Sequence, residues 1–376
     1  MSLTTHLRTA AVLTLAAVGC TVPASAAGAS AAERPPALPS WGVGPATFAY
    51  LCANAKDRDL IPSGPCDSWR LVTADGSIFS VPEALAWEKY KDPDLVGEPG
   101  ALAISPDGTR VAYHQADDDH VVVRDLSSGE TWTIPYKVPR GSVGSPFTMR
   151  FVRDGSGLAI TSTDSSDVPT VTFAQVEAET ARRMPKGWTL LDADPASGRL
   201  TLLKSPELED RGTFRTTDGD RVTTVKIPAK AGKHLIWGAF AARDGRAANL
   251  VPKDPPACGP DMTPVWLAVF STRTGKMTTV KPKLPADVYR ADVIDWLGRE
   301  EVVAAAGRER PGKAPDAVVG SYVYAVNVST GASRLLTKLS TTEQVYEDRL
   351  VVGGYAAAQG PVAGGKAAKP GDRGCG

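Results

Sequence analysis

The residues best suited to chemistry fall in one stretch: His114, then Asp117, Asp118, Asp119 and His120. Carboxylates and imidazoles this close together could hold calcium or a transition metal. Calcium loops, however, space their oxygens at alternate positions around a glycine, and three consecutive aspartates do not. The competing reading is a hydrated hairpin loop whose charges keep it soluble, so no metal site and no cofactor is assigned. Serine nucleophile chemistry would need a Gly-x-Ser-x-Gly elbow, and none occurs. Beyond the leader the histidines are His114, His120 and His234. His234 sits between Lys233 and an apolar run and reads as a strand-entry residue rather than a general base. Glu207, Glu209 and Asp210 form an acidic run that reads as a solvated loop.

The elements that would carry these residues are short strands. Leu102-Ala103-Ile104 is an apolar run stopped by Ser105-Pro106-Asp107-Gly108. Proline presets one turn dihedral and glycine accepts positive φ. Thr109 to His114 alternates, Val121-Val122-Val123 is β-branched, and Thr131 to Ile134 follows a tight turn at Ser128-Gly129. Second strands recur near Arg110, Leu158, Arg199, Arg246, Glu301 and Arg349, at intervals of 41 to 55 residues. Outer turns at Asp75-Gly76, Ser128-Gly129, Asp218-Gly219, Thr274-Gly275 and Thr330-Gly331 form a second comb, with the glycine-free turn Glu177 to Thr180 filling its gap. Four strands per repeat at this period imply an all-β, six-bladed β-propeller of four-stranded antiparallel blades. The ends are partial. An outer hairpin, Trp69 to Val81, and inner-strand material around Val345 to Tyr355 should combine into one blade that closes the ring.

The run Ser105-Pro106-Asp107-Gly108-Thr109-Arg110-Val111-Ala112-Tyr113, with the following Val121 to Leu126 strand, resembles the WD-repeat-like blade of TolB-type propellers. The same blade type occurs in the propeller domains of prolyl-oligopeptidase relatives. Arg153-Asp154-Gly155-Ser156-Gly157 and Arg243-Asp244-Gly245-Arg246 are partial copies. The resemblance implies a fold rather than a chemistry. TolB's extra N-terminal domain has no counterpart in this sequence, so its partner system is not carried over. Ser127 to Trp132 occupies the place of a sialidase Asp-box but has Ser127 where that box needs a carboxylate. Asn327-Val328-Ser329 matches a glycosylation acceptor, yet Thr330-Gly331 marks an ordinary hairpin. Trp188, Trp237 and Trp296 recur near the first strands of their blades and are expected to pack between blades.

Residues 1–26 read as a secretory signal: Arg8, an apolar Ala10 to Gly19 too short to span a bilayer, and small residues up to Ala26. Two processing readings stay open, cleavage after Ala26 or a lipid anchor at Cys20, where Ala17-Val18-Gly19-Cys20 is an imperfect lipobox. The first predicts a secreted protein, the second one held on the outer face of the cytoplasmic membrane. Residues 27–40 read as a flexible linker, 41–357 as the propeller and 358–376 as a Gly/Ala-rich tail. Cys52, Cys66, Cys258 and Cys375 are an even set in an oxidising compartment. Cys52 with Cys66 brackets a polar loop, which leaves Cys258 with Cys375. No other segment could span a membrane. Forty-two basic residues balance forty-two acidic ones, and the leader removes only Arg8, which argues against nucleic acid and against electrostatic membrane binding.

One asymmetry bears on function. The connections between second and third strands are long and varied: Gln115 to His120, Asp164 to Pro169, Lys204 to Gly212, Pro252 to Pro264 and Gly307 to Gly320. They share one face of a propeller, and loops on a rigid scaffold concentrate binding residues. The expected function is a monomeric, non-catalytic binding module for a protein or cell-envelope partner, through Asp117, Asp118, His120, Asp164, Glu207, Asp210, Arg308 and Arg310. The alternative is a propeller hydrolase or lyase at the axial mouth. The first reading expects no cluster of perturbed titratable groups on the axis. The second expects several carboxylates, or a histidine with carboxylates, converging there.

Overall fold

The computed structural model describes residues 34–52, 66–88, 98–137, 147–152, 155–163, 168–194, 197–204, 212–218, 220–228, 240–252, 263–308, 321–339 and 345–355. The chain opens with β1 (Ala46–Cys52), β2 (Trp69–Thr73) and β3 (Ile78–Val81), followed by the short pair β4 (Trp87–Glu88) and β5 (Glu98–Pro99). Blade one is β6 (Leu102–Ile104), β7 (Arg110–His114), β8 (His120–Asp125) and β9 (Thr131–Lys137). Blade two is β10 (Phe147–Val152), β11 (Gly157–Thr163), β12 (Pro169–Gln175) and β13 (Thr180–Arg183). Blade three is β14 (Thr189–Asp194), β15 (Arg199–Lys204), β16 (Thr213–Asp218) and β17 (Arg221–Lys226). Blade four is β18 (Ala241–Arg243), β19 (Arg246–Pro252), β20 (Pro264–Ser271) and β21 (Met277–Val280). Blade five is β22 (Val288–Leu297), β23 (Glu301–Arg308), β24 (Ser321–Asn327) and β25 (Ser333–Leu339), and β26 (Val345–Val352) ends the series. Each blade is a four-stranded antiparallel sheet in sequence order, and the sixth has the order β26-β1-β2-β3.

The sixth blade corrects the sequence reading in one respect. The outer hairpin β2–β3 does share a sheet with the segment around Arg349. It does not pair with it, because β1 lies between: Ala49 faces Leu71 on one side and Val351 on the other. Closure is one C-terminal strand plus three N-terminal strands. Arg349 therefore lies in an innermost strand, not a second one. β1 (Ala-Thr-Phe-Ala-Tyr-Leu-Cys) is buried nearly throughout and carries no alternation to mark it.

Burial follows strand position. Middle strands such as β8 are covered on both faces, with Val121 and Val123 fully buried. Outer strands alternate or are wholly exposed, as in β13. The turns obey local chemistry. Asp125 Oδ1 accepts from the amides of Ser127 and Ser128 at 2.8 Å each, and Gly129 takes φ 79°. Asn327 repeats the device in blade five, accepting from Ser329 and Thr330, with Gly331 at φ 68°. Its side-chain oxygen is thus part of the hairpin, as expected of the sequon-like Asn327. In blade two Glu179 takes the left-handed position at φ 47° without being glycine.

Arginines at the head of second strands join neighbouring blades. Arg110 donates to Gly155 O at 3.1 Å, Arg199 to Asp244 Oδ1 at 3.2 Å, and Arg246 to Arg299 O. Each acceptor lies in the first turn of the next blade. Trp296, fully buried, donates from Nε1 to Ala241 O at 3.1 Å and has Arg246 over its ring. It packs between blades, as expected. Trp188 is half-buried against the blade two and three core, and Trp237 lies outside the described residues.

At the seam, residues placed in a flexible linker are partly built into the sheet. Leu38 N donates to Ser80 O at 2.7 Å, Ser80 N to Pro36 O at 2.8 Å, and Leu38 is 4 % exposed. This parallel pairing covers the free edge of β3. The strap continues past blade one, where Val43 N reaches Leu126 O and Ala46 N reaches Gly108 O. Gly108 is required there twice: φ is 80°, and a Cβ would sit 2.3 Å from Ala46 O.

Candidate functional site

Two places compete, the loop-rich face and the axis. The short first and last turns of each blade span two to five residues, whereas the second-to-third connections span five to sixteen. Antiparallel order puts the two sets on opposite faces, so the length variation is confined to one face.

On that face Asp117 and Asp118 lie in the β7–β8 turn. Asp118 Oδ1 accepts from the His120 amide at 2.8 Å and meets His120 Nδ1 at 3.0 Å. The hydrogen bond from the His120 amide holds the Asp118 carboxyl below its ordinary range. His120 also faces Lys137 across the sheet. His114 is fully buried with its ring edge-on to Phe147, so it belongs to the core. Among the described residues no three His, Cys, Asp or Glu side chains could hold one metal ion. Arg308 closes β23 opposite Val288. Asp164, Glu207, Asp210 and Arg310 lie outside the described residues, as does the Cys258–Cys375 pairing. Cys52 and Cys66 form the expected disulfide, which fastens the end of β1 to the entry of β2 across the longest of these connections.

The axis holds a cluster that sequence reasoning missed. Innermost strands of four successive blades contribute Arg150, Asp192, Arg243 and Asp295, around a polar cavity with room for about one water molecule. Two strand irregularities shape it. The register slips at Leu191 in β14 and at Ile294 in β22, which re-aims the residues that follow. Arg150 donates to Leu190 O at 3.1 Å and to Leu191 O, meeting carbonyls at the first bulge. Arg243 donates to Trp296 O at 2.9 Å just past the second. Asp295 accepts from Trp296 N at 2.7 Å and from the Tyr355 hydroxyl at 2.8 Å. Tyr355 arrives from beyond the closing strand and is 6 % exposed. Burial pushes the Asp295 carboxyl above its usual range and the Tyr355 phenol well above its own; the nearby charges of Arg150 and Arg243 oppose both shifts.

This corrects the expectation, under the binding-only reading, of an axis free of perturbed groups. The perturbed groups are there, but their bonds run to one another and to backbone. Both arginines hold carbonyls of the next blade, and each Asp295 oxygen accepts a hydrogen bond. The one sequence signal was the presence of Arg and Asp inside otherwise apolar innermost strands.

No protein-family model matches the chain, and no curated protein matches it. Solved structures do. TolB from Acinetobacter baumannii is 14 % identical, with a TM-score of 0.45, over 81 % of this chain and 66 % of that one. The fold itself is a six-bladed β-propeller. A putative TolB from Agrobacterium tumefaciens is 11 % identical, with a TM-score of 0.42, over 81 % of this chain and 92 % of that one. A prolyl endopeptidase is 13 % identical, with a TM-score of 0.40, over 73 % of this chain and 38 % of its own. These likenesses are of fold alone, and the chain spans just under two thirds of the A. baumannii protein.

Proposed function

We propose that this TolB-like propeller is an exported binding module that engages a protein or cell-envelope partner through its loop-rich face. The observation that carries the reading is the confinement of all loop-length variation to one face of an otherwise regular ring. A rigid scaffold with variable loops on one side suits recognition. Export is supported by the leader-like residues 1–26 and by the Cys52–Cys66 disulfide, a bond typical of oxidising compartments. No helix among the described residues is long and apolar enough to cross a membrane. In the axial cluster Arg150, Arg243 and Asp295 bond to backbone and Tyr355 bonds to Asp295, an arrangement that joins blades.

The test is affinity capture from the envelope and culture fluid with the mature chain. It is compared with a variant whose 307–320 loop is replaced by alanines and a variant altered at Ser127 and Ser128 in a short turn on the other face. The loop variant should lose a specific partner that the turn variant keeps. An identical partner set for all three chains overturns the reading.

A further inference from the structure

The chain is neutral as a whole, with 42 basic and 42 acidic residues, yet its charge is sorted in space. The outermost strands β3, β9, β13, β17, β21 and β25 contain seven basic residues and no acidic one. On blades three to five the sorting extends beyond the strands. No Asp or Glu occurs in residues 221–243, 262–286 or 328–342. Lys226, Arg273, Lys276, Lys281, Lys283 and Lys338 are all exposed in these stretches.

The outer strands and outer turns within these stretches are contiguous on the rim. The end of β17 meets the outer turn of blade four: a Cβ on Gly275 would sit 2.7 Å from Val225 and 3.3 Å from Lys226 O. The segment after β21 meets the outer turn of blade five, where Lys283 N donates to Gly331 O at 2.7 Å and Ser333 Oγ to Lys283 O at 2.5 Å. The outer strands thus hand on from blade to blade and carry lysines and arginines along one continuous arc. Arg334, on the same arc, is neutralised by Glu301 at 2.8 Å and is not counted.

We propose that the outer rim of blades three to five is a docking band for a linear phosphodiester polymer of the cell envelope. A regularly spaced anionic chain matches an arc of like charges that no single pocket would create. Binding of this kind releases counterions and is strongly salt-dependent. Charge on free strand edges also blocks edge-to-edge association, and lysine serves that purpose. Edge protection does not require three successive outer-strand stretches, 221–243, 262–286 and 328–342, to hold no carboxylate. The band borders the loop-rich face at two points, where Lys226 pairs with Thr213 and Lys338 with Tyr322 at the starts of third strands, but it is made of rim lysines and arginines and not of the loops themselves. The choice of an envelope polymer rests on export alone.

The test uses the mature chain with fluorescent poly(glycerol phosphate) as probe, read by anisotropy at low and moderate salt. Wild type should bind, with affinity falling steeply as salt rises. Lys276→Gln/Lys281→Gln/Lys283→Gln should weaken binding about tenfold or more, with an unchanged thermal melt. Arg182→Gln/Arg183→Gln, which removes rim charge from blade two, should keep most of the affinity. Absence of binding at low salt overturns the proposal, as does equal loss in both variants, which would mean diffuse charge. Tighter binding to duplex DNA, or to anionic lipid vesicles, than to the glycerol-phosphate chain overturns the assignment of the partner.

Discussion

Replacing Tyr355 by phenylalanine isolates one bond at the point where the ring is completed. The hydroxyl donates to Asp295 Oδ2 at 2.8 Å, and the ring is almost wholly buried. Phenylalanine keeps the apolar contacts and removes only the donor. A hydrogen bond to a charged or charge-bearing buried group contributes about 1.5–3 kcal/mol, and an acceptor left without its donor sets the upper end. For a ring of this size that corresponds to a fall of about 2–5 °C in Tm. Urea unfolding followed by tryptophan fluorescence is the natural assay, since buried Trp296 adjoins Asp295 and donates its amide to that carboxylate. Tyr355→Leu, which loses the hydroxyl and ring volume together, should cost more than Tyr355→Phe. The coupling can be isolated with a double-mutant cycle: after Asp295→Asn, the Tyr355→Phe penalty should shrink. A Tyr355→Phe chain within about 0.5 kcal/mol of wild type would refute the idea that this contact secures the seam.

Other outcomes follow from the same geometry. Burial holds the Asp295 carboxyl above its unfolded range, so the folded state binds that proton more tightly. Its contribution is complete below the unfolded carboxylate pKa and is lost as pH rises through the raised folded value. Wild type should therefore gain stability relative to Asp295→Asn as pH falls from neutral toward about 4; denaturation curves at several pH values check the slope. Replacing Cys52 and Cys66 by serine reopens a loop of fourteen residues' separation and should cost about 3 kcal/mol, read by chemical denaturation. Glu179 holds φ 47° in an exposed turn, so Glu179→Gly should raise stability by roughly 0.5–1 kcal/mol, and a lowered Tm would contradict the strain argument.

What was legible in the sequence was local. Turn chemistry is written in neighbouring residues: Asp125 with Gly129, Asn327 with Gly331, Pro106-Asp107-Gly108. These fixed the period, five of the six second strands and the number of blades. The Cys52–Cys66 pairing was legible for the same reason, since both residues bracket one loop. The acidic turn Asp117 to His120 was recognisable as a hairpin loop, and the structure closes it through Asp118 and His120.

What only tertiary structure decided depended on residues far apart in the chain. β1 is an apolar run without alternation, and its inner partner lies some three hundred residues downstream. No local rule could assign it to the middle of the closing blade. The strap at Pro36 to Leu38 looks like linker until a free strand edge is placed beside it. Arg150, Asp192, Arg243 and Asp295 come from four separate strands that meet only when the ring is closed. Tyr355 finds its acceptor only when the last strand is in place. The cationic arc is invisible in a net charge of zero, because summing along the sequence erases what folding sorts by face. Short-range sterics and hydrogen bonding set the repeats; the geometry of a closed circle set everything on its axis, its seam and its rim.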